Sequence, residues 1–299
     1  MSIMKVENLT KKFGKFTVLD QINIELEQGE VFGFIGPNGA GKTTTIRSIL
    51  GILKATEGQI SVFGQDAWKD AVEIHKRVAF VPGDVSLWPN LTGGEVIDLF
   101  VKLRGNSSES KREMLIKRFD LDPSKKCRAY SKGNRQKVAL VAALASDADL
   151  YVLDEPTSGL DPLMETVFQT SIQELKAAGK TIFLSSHILS EVEKLCDRVA
   201  IIREGKIIET GSLKELRHLM RNQVVIETAK SVTDARALKG VYDYSENNLV
   251  YSFQMDPKEL STIANHFNKF DIVNFESVPP TLEALFMHHY TNGGGVEND

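Results

Sequence analysis

Gly36-Pro37-Asn38-Gly39-Ala40-Gly41-Lys42-Thr43-Thr44 decides how the chain is read. It fits the G-x-x-x-x-G-K-[ST] phosphate-binding pattern without a gap. Val31-Phe32-Gly33-Phe34-Ile35 before it is an apolar, strand-like run, and Thr44 to Leu50 after it reads as a helix ending near Gly51. A strand, a loop and a helix in this order turn backbone N–H groups and the positive end of a helix toward one point, which suits an anion. Gly36, Gly39 and Gly41 let the backbone bend and approach phosphates closely, with Asn38 and Ala40 between them. Lys42 is expected to reach the β- and γ-phosphates, the Thr43 hydroxyl to ligate Mg²⁺, and Thr44 to open the helix. The loop predicts binding of a nucleoside triphosphate and leaves the chemistry that follows open.

The rest of the chain narrows the class. Its 299 residues allow two domains and a well-buried core. At 42% hydrophobic and 25% charged, it has the composition of an ordinary globular protein. Lys and Arg total 36 against 40 Asp and Glu, a net charge of −4, which argues against a nucleic-acid partner. Apolar runs such as Val138 to Ala145 fall far short of the roughly 18–20 residues of a membrane span. The start, Met1 to Glu7, has no signal-peptide core, so a membrane role is expected to come through a partner. Cys127 and Cys196 lie far apart without metal-type spacing and are expected to be reduced, partly buried thiols.

Taken in order, residues 3–7 and 17–26 read as strands, with Phe13 between them. Gly58 to Gly64 reads as a strand, Asp70 to Arg77 as a helix, and Val78 to Pro82 as a buried strand. From about residue 84 to 147 the pattern is helical: a capping box at Thr92–Glu95 before Val96–Leu103, then Ser110–Phe119, then Asn134–Ala145 with Ser131 at its start. Strand patterning returns at Asp149–Leu153. Asp161-Pro162 opens a helix to about Ala178, Thr181–Leu184 is a strand, and Ile188–Cys196 is helical. Val199–Ile202 and Lys206–Glu209 form a hairpin through Glu204-Gly205. Strands alternating with helices predict an α/β fold with a mostly parallel sheet. Beyond about 212 the chain reads as a small α+β unit: helices at 212–220, 234–238 and 256–267, and strands at 224–227, 249–253 and 272–275. An amphipathic stretch, Thr281–Tyr290, and a tail from Gly293 that is expected to be disordered complete it.

Leu150-Tyr151-Val152-Leu153-Asp154-Glu155 is an apolar strand ending in two carboxylates. Beside the phosphate loop, Asp154 is expected near Mg²⁺. Glu155, turning at the strand end, is expected to act as base or orienting group for an attacking water.

With these motifs the sequence resembles the ATP-binding cassette (ABC) ATPases. Tyr130-Ser131-Lys132-Gly133-Asn134-Arg135-Gln136 is similar to the family's signature motif, usually Leu-Ser-Gly-Gly-Gln. Thr157-Ser158-Gly159-Leu160-Asp161 is similar to the D-loop, Leu184-Ser185-Ser186-His187 to the switch-histidine segment, and Phe13 sits where the family has an aromatic that stacks on adenine. The order and spacing of motifs agree over residues 1 to about 212. The resemblance implies a P-loop NTPase cassette: a mostly parallel sheet, an antiparallel β subdomain and a helical insertion. It implies that ATP with Mg²⁺ is bound between two such chains, that Ser131, Gly133 and Asn134 face the γ-phosphate of the partner's ATP, that Asp161 serves the D-loop and that His187 senses the γ-phosphate. It implies a separate integral membrane permease subunit, a helix of which enters the groove near Gly83–Pro89 and the helical insertion, and a place on the cytoplasmic face of the cell membrane. The unit at 213–292, with its ending Pro279–Phe286, resembles the C-terminal extension of ATPase subunits from ABC-2-type exporters.

Three positions depart from the family pattern. Gly83-Asp84 stands where a glutamine usually follows the Val81-Pro82 strand end, Lys132 replaces the signature's first glycine, and Asn134 its glutamine. Lys132 either lies near the bound triphosphate or points to solvent. Lys42, Asp154, Glu155 and His187 are all present, so a competent ATPase is expected. A soluble ABC protein without a transport role and a low-turnover regulatory subunit of a heterodimeric transporter remain as alternatives.

Overall fold

The computed structural model describes residues 2–103, 109–218 and 221–278. The chain divides into two compact units, Met1–Gly211 and Ser212–Asp299. In the first, the elements run β1 (Ser2–Phe13), β2 (Phe16–Glu27), β3 (Val31–Ile35), α1 (Lys42–Ile49), β4 (Glu57–Val62), β5 (Gln65–Asp66), α2 (Ala71–His75) and β6 (Val78–Val81). Then come α3 (Gly93–Leu103), α4 (Glu109–Arg118), α5 (Lys132–Ala145), β7 (Leu150–Asp154), α6 (Pro162–Ala177), β8 (Thr181–Ser186), α7 (Leu189–Leu195), β9 (Arg198–Arg203) and β10 (Lys206–Ser212).

Two sheets result. The smaller has the order β2-β1-β4-β5, with β1 antiparallel to both of its neighbours. The larger has the order β10-β9-β3-β8-β7-β6. Its pairings from β9 to β6 are all parallel. Strands buried on both faces read as unbroken apolar runs, and every residue of β3, β7 and β8 is buried. Phe32 and Phe34 from β3 pack on Phe183 of β8, centroids 5.8 and 5.5 Å apart. The phosphate loop leaves the carboxyl end of β3, Asp154 ends β7, and Ser186 ends β8, which lies between them. In an open parallel sheet this edge is where ligands bind.

The local start signals act as written. At α3, Thr92 N donates to Glu95 Oε2 at 2.7 Å and Glu95 N to Thr92 Oγ1 at 3.2 Å, a complete capping box. Asp161 caps α6, accepting from Met164 N at 3.0 Å, with Pro162 as the first helical residue. Ser131 caps α5, accepting from Asn134 N at 3.3 Å, and the helix begins at Lys132 rather than Asn134.

The reading of the first strand as residues 3–7 needs correction. β1 runs on to Phe13, so Phe13 belongs to a strand and faces Phe16 across the Gly14-Lys15 turn instead of lying between strands. The alternation breaks because the ladder is bulged between Val6 and Leu9, where Asn8 takes a positive φ of 49°.

The second unit contains α8 (Leu213–His218), β11 (Asn222–Thr228), β12 (Val241–Asn247), β13 (Val250–Met255), α9 (Leu260–Asn268) and β14 (Ile272–Val278). Its sheet is antiparallel, in the order β12-β13-β11-β14. This is the split βαββαβ arrangement with the first helix reduced to a 3-10 turn, Ala235–Ala237. The expected helix at 234–238 is thereby corrected: Asp234 sits at φ 61°, which no right-handed helix accommodates. β12 escapes the sequence reading because a bulge between Tyr242 and Ser245 interrupts its alternation. The helix opened by Asp256 starts as a 3-10 turn, Pro257–Glu259, before α9. Phe267 of α9 packs against Tyr251 and Phe253 at 5.5 and 5.6 Å. The amphipathic stretch at 281–290 and the tail from 293 lie outside the described residues.

Candidate active site

The phosphate loop is shaped by two glycines that nothing else can replace. A Cβ on Gly36 would stand 2.4 Å from Ile202 O, so the loop passes directly over β9. Gly41 takes φ 112°, and a Cβ there would meet Leu19 Cδ2 at 2.6 Å. Gly41 precedes α1 and offers no side-chain cap, so the first N–H groups of that helix stay available to a ligand. Pro37, Asn38, Gly39, Thr44 and Val18 line the cleft in front of it, about 270 Å³ in volume. Ala40 is buried beneath, donating from N to Pro37 O at 3.2 Å.

Lys42 is only 4% exposed. Its ammonium donates to Gly36 O at 2.6 Å and Pro37 O at 3.2 Å and lies 3.2 Å from Glu155 Oε1. Thr43 Oγ1 donates to Asp154 Oδ2 at 2.8 Å. The other oxygen of Asp154 accepts from Ser185 Oγ, since β7 and β8 pair with Asp154 opposite Ser185. Glu155 takes φ 46°, left-handed for a residue with a side chain. That turn sends its carboxylate back over the sheet edge, with Oε1 on Lys42 and Oε2 3.3 Å from His187 Nδ1. Gly83 packs on this group from β6: a Cβ there would stand 3.2 Å from Asp154 O. A side chain at the position where the family usually has glutamine would push on the backbone of Asp154.

Lys42, Thr43, Asp154, Glu155 and His187 are therefore one cluster. Phe13 is not part of it; it is 51% exposed at the tip of the β1–β2 hairpin, with Lys11 Nζ 5.0 Å from its ring centre. Ser131, Gly133, Asn134 and Asp161 form a separate group at the start of α5 and α6. Lys132 Nζ donates to Ser158 Oγ at 2.9 Å, and Gln136 Nε2 to Pro156 O at 3.0 Å. Lys132 thus points neither to solvent alone nor to the phosphate loop of its own chain. It holds the 157–161 loop.

Sequence reasoning left three contributors without a role. Ser185 orients Asp154, and its signal is the serine pair that ends an apolar strand. Gly83 supports Asp154 through space alone, for which no sequence pattern exists. Glu191, on α7, is 4% exposed, and burial pushes its carboxyl up to about 6 from 4.5. With its folded value raised, Glu191 favours the fold fully below pH 4.5, and that contribution is lost as pH rises through about 6. Glu191→Gln is accordingly expected to raise stability by about 2 kcal/mol at pH 8 and to leave it nearly unchanged near pH 4.5. Urea unfolding at the two pH values checks this, and an equal effect at both would refute it.

The family described as "ABC transporter" matches residues 19–158, and an AAA domain, "putative AbiEii toxin, Type IV TA system", matches residues 126–193. The bacitracin transport ATP-binding protein BcrA of Bacillus licheniformis is 38% identical over 99% of this chain and 99% of its own. The chain belongs to the ABC transporter ATP-binding proteins. The linearmycin resistance ATP-binding protein LnrL of Bacillus subtilis (strain 168) is 30% identical over 96% of this chain and 97% of its own. Among solved structures, an ATP-binding subunit of an ABC transporter superposes with a TM-score of 0.68 at 33% identity, over 73% of this chain and 92% of that one. A dimeric post-hydrolysis state of the cassette MJ0796, bound to ADP and Pi, superposes with a TM-score of 0.65 at 25% identity, over 70% and 98%. As an ABC ATPase, the chain binds and hydrolyses ATP as a transporter subunit, working with a membrane permease and a second ATPase chain.

Proposed function

We propose that this chain drives export through a separate membrane subunit at the cytoplasmic face of the cell membrane, with two cassettes closing on ATP and opening after its hydrolysis. The observation that carries the reading is the convergence of Lys42, Thr43, Asp154, Glu155 and His187 at one edge of the parallel sheet. Lys42 trades its carbonyl partners, Gly36 O and Pro37 O, for β- and γ-phosphate oxygens. The Thr43 hydroxyl and Asp154 carboxylate are hard oxygen donors that would hold Mg²⁺ arriving with the nucleotide. Bound there, Mg²⁺ supplies charge neutralisation on the phosphates. Glu155 accepts the proton of the attacking water, and His187, 3.3 Å from Glu155 Oε2, holds the γ-phosphate. Ser131, Gly133, Asn134 and Asp161 serve the partner chain's nucleotide, and Phe13 stacks on adenine.

Support for a membrane partner lies between the segment after β6 and helices α3 and α5. An apolar groove there is lined by Phe80, Pro82, Val85, Phe100, Ala139 and Ala142. Beside it Trp88 is 52% exposed, its ring 6.1 Å from that of Phe100. Exposed aromatics around an apolar groove suit an incoming helix. No helix among the described residues is long and apolar enough to cross a membrane. Relatives named for bacitracin transport and linearmycin resistance make antibiotics the first class of cargo to test. The test of the whole reading is purification of the tagged chain from detergent-solubilised membranes of its host with Mg-ATP. A polytopic membrane protein in fixed ratio is the expected result. Recovery from the soluble fraction alone, with ribosomes, DNA or nothing, would transfer the chain to the soluble class.

A further inference from the structure

The 157–161 loop is fastened on two sides. Toward α5 it takes the Lys132 bond described above, Gln136 holds Pro156 just before it, and Gly133 lies so close that a Cβ on it would stand 2.3 Å from Gly159 O. Toward α7 it reaches the side chain of Glu191. Thr157 Oγ1 donates to Glu191 Oε2 at 3.3 Å, and Ser186 Oγ donates to the same oxygen at 2.9 Å. Ser186 Oγ also accepts from Ile188 N at 2.9 Å, so the residues on both sides of His187 are tied to one hydroxyl. Thr157, Ser186 and Glu191 are all at most 5% exposed.

The arrangement is a poor one for stability alone. A carboxylate is buried, and Glu165 on α6 adds a like charge, against which stand only the two hydroxyl hydrogen bonds from Ser186 and Thr157 among the groups that bear on it in the described residues. Cys196, which ends α7, is a thiol that burial and the Glu191 charge both hold in its neutral form. The second carboxylate oxygen, Oε1, meets no donor among the described residues. Buried polar groups with an unmatched atom call for a physical reason, and sites that break a local rule are often functional.

We propose that Glu191 is a positioning residue of the hydrolytic cycle: its carboxylate joins Thr157, in the loop that meets the partner chain, to Ser186, at the strand end that carries His187. Movement of the signature face when the two chains close then reaches the γ-phosphate sensor through one buried side chain. The inference rests on the roles given above to His187 and the 157–161 loop.

The test uses the full chain and measures kcat and the dissociation constant for ATP separately. Glu191→Ala and Thr157→Val are each expected to lower kcat on the order of tenfold or more, with ATP affinity changed by less than about twofold, because they misplace a catalytic group without touching the nucleotide. The double variant is expected to be no slower than the slower single one, since both changes cut the same link. Glu191→Gln, which keeps the shape and one acceptor oxygen, is expected to restore most of the rate and guards against misfolding of the alanine variant. Losses that multiply in the double variant, or wild-type kcat in both single variants, would overturn the proposal. His187→Ala separates the two levels. Normal turnover in it would remove the sensor role and the proposal together, whereas lost turnover beside normal Glu191→Ala and Thr157→Val rejects the proposal alone.

Discussion

Glu155→Gln is expected to lower ATP turnover by about two to four orders of magnitude, the range assigned to loss of a general base, while ATP binding is kept. The geometry makes this a clean substitution. Glutamine has the same shape and can still meet Lys42 and His187, which lie 3.2 and 3.3 Å from the two carboxylate oxygens. What it loses is basicity and negative charge. The first removes the acceptor for the water's proton. The second removes repulsion toward the γ-phosphate, so the closed pair of chains should accumulate with ATP between them. Phosphate release measures the first effect, and size-exclusion chromatography with Mg-ATP the second. Turnover within about twofold of wild type would move the base elsewhere and undo the assignment of Glu155.

Lys42→Ala is expected to act on binding instead. Charged hydrogen bonds are each worth about 1.5–3 kcal/mol, and Lys42 is placed to make two to phosphate oxygens, so ATP affinity should fall by roughly a hundredfold or more. Calorimetric titration with ATP gives the number directly. The variant also leaves Glu155, only 23% exposed, without its cation, so a lowered unfolding temperature should accompany the lost affinity. Nucleotide affinity within about threefold of wild type would count against the loop's role.

How much of this was legible beforehand varied with how local the cause is. The Gly36–Thr44 loop, the Asp154-Glu155 strand end and the caps at Thr92, Ser131 and Asp161 are written in consecutive residues, and each appears where its pattern puts it. The family of the chain followed from those motifs taken together. Contacts between segments did not show. Nothing in the residues around Ser185 says that its neighbour across the ladder is Asp154, and nothing near Gly83 says that Asp154 lies within reach. The bend at Glu155 was anticipated only as a turn at a strand end, whereas the left-handed backbone that performs it is a property of the folded chain. β12 and the far half of β1 were missed for one shared reason: bulges break the two-residue period on which strand reading depends. The residues around Lys132 allow a place near the triphosphate or in solvent, and its bond to Ser158 is neither, because it is set by a loop 26 residues away.

One strand pairing has a consequence for how such a chain can change. β6 and β7 lie side by side in register, Val78 opposite Leu150 through Val81 opposite Leu153, although α3, α4 and α5 come between them in sequence. The helices leave from one edge strand and return to its neighbour, so their length and character are free of the sheet's geometry. Closing a longer excursion adds only slowly to the entropy of folding. That stretch also carries the apolar groove with Phe100 and Ala139. With the groove receiving the membrane subunit as proposed, exchange of the stretch between β6 and β7 is expected to change the membrane partner while the strands beneath the phosphate loop stay in place.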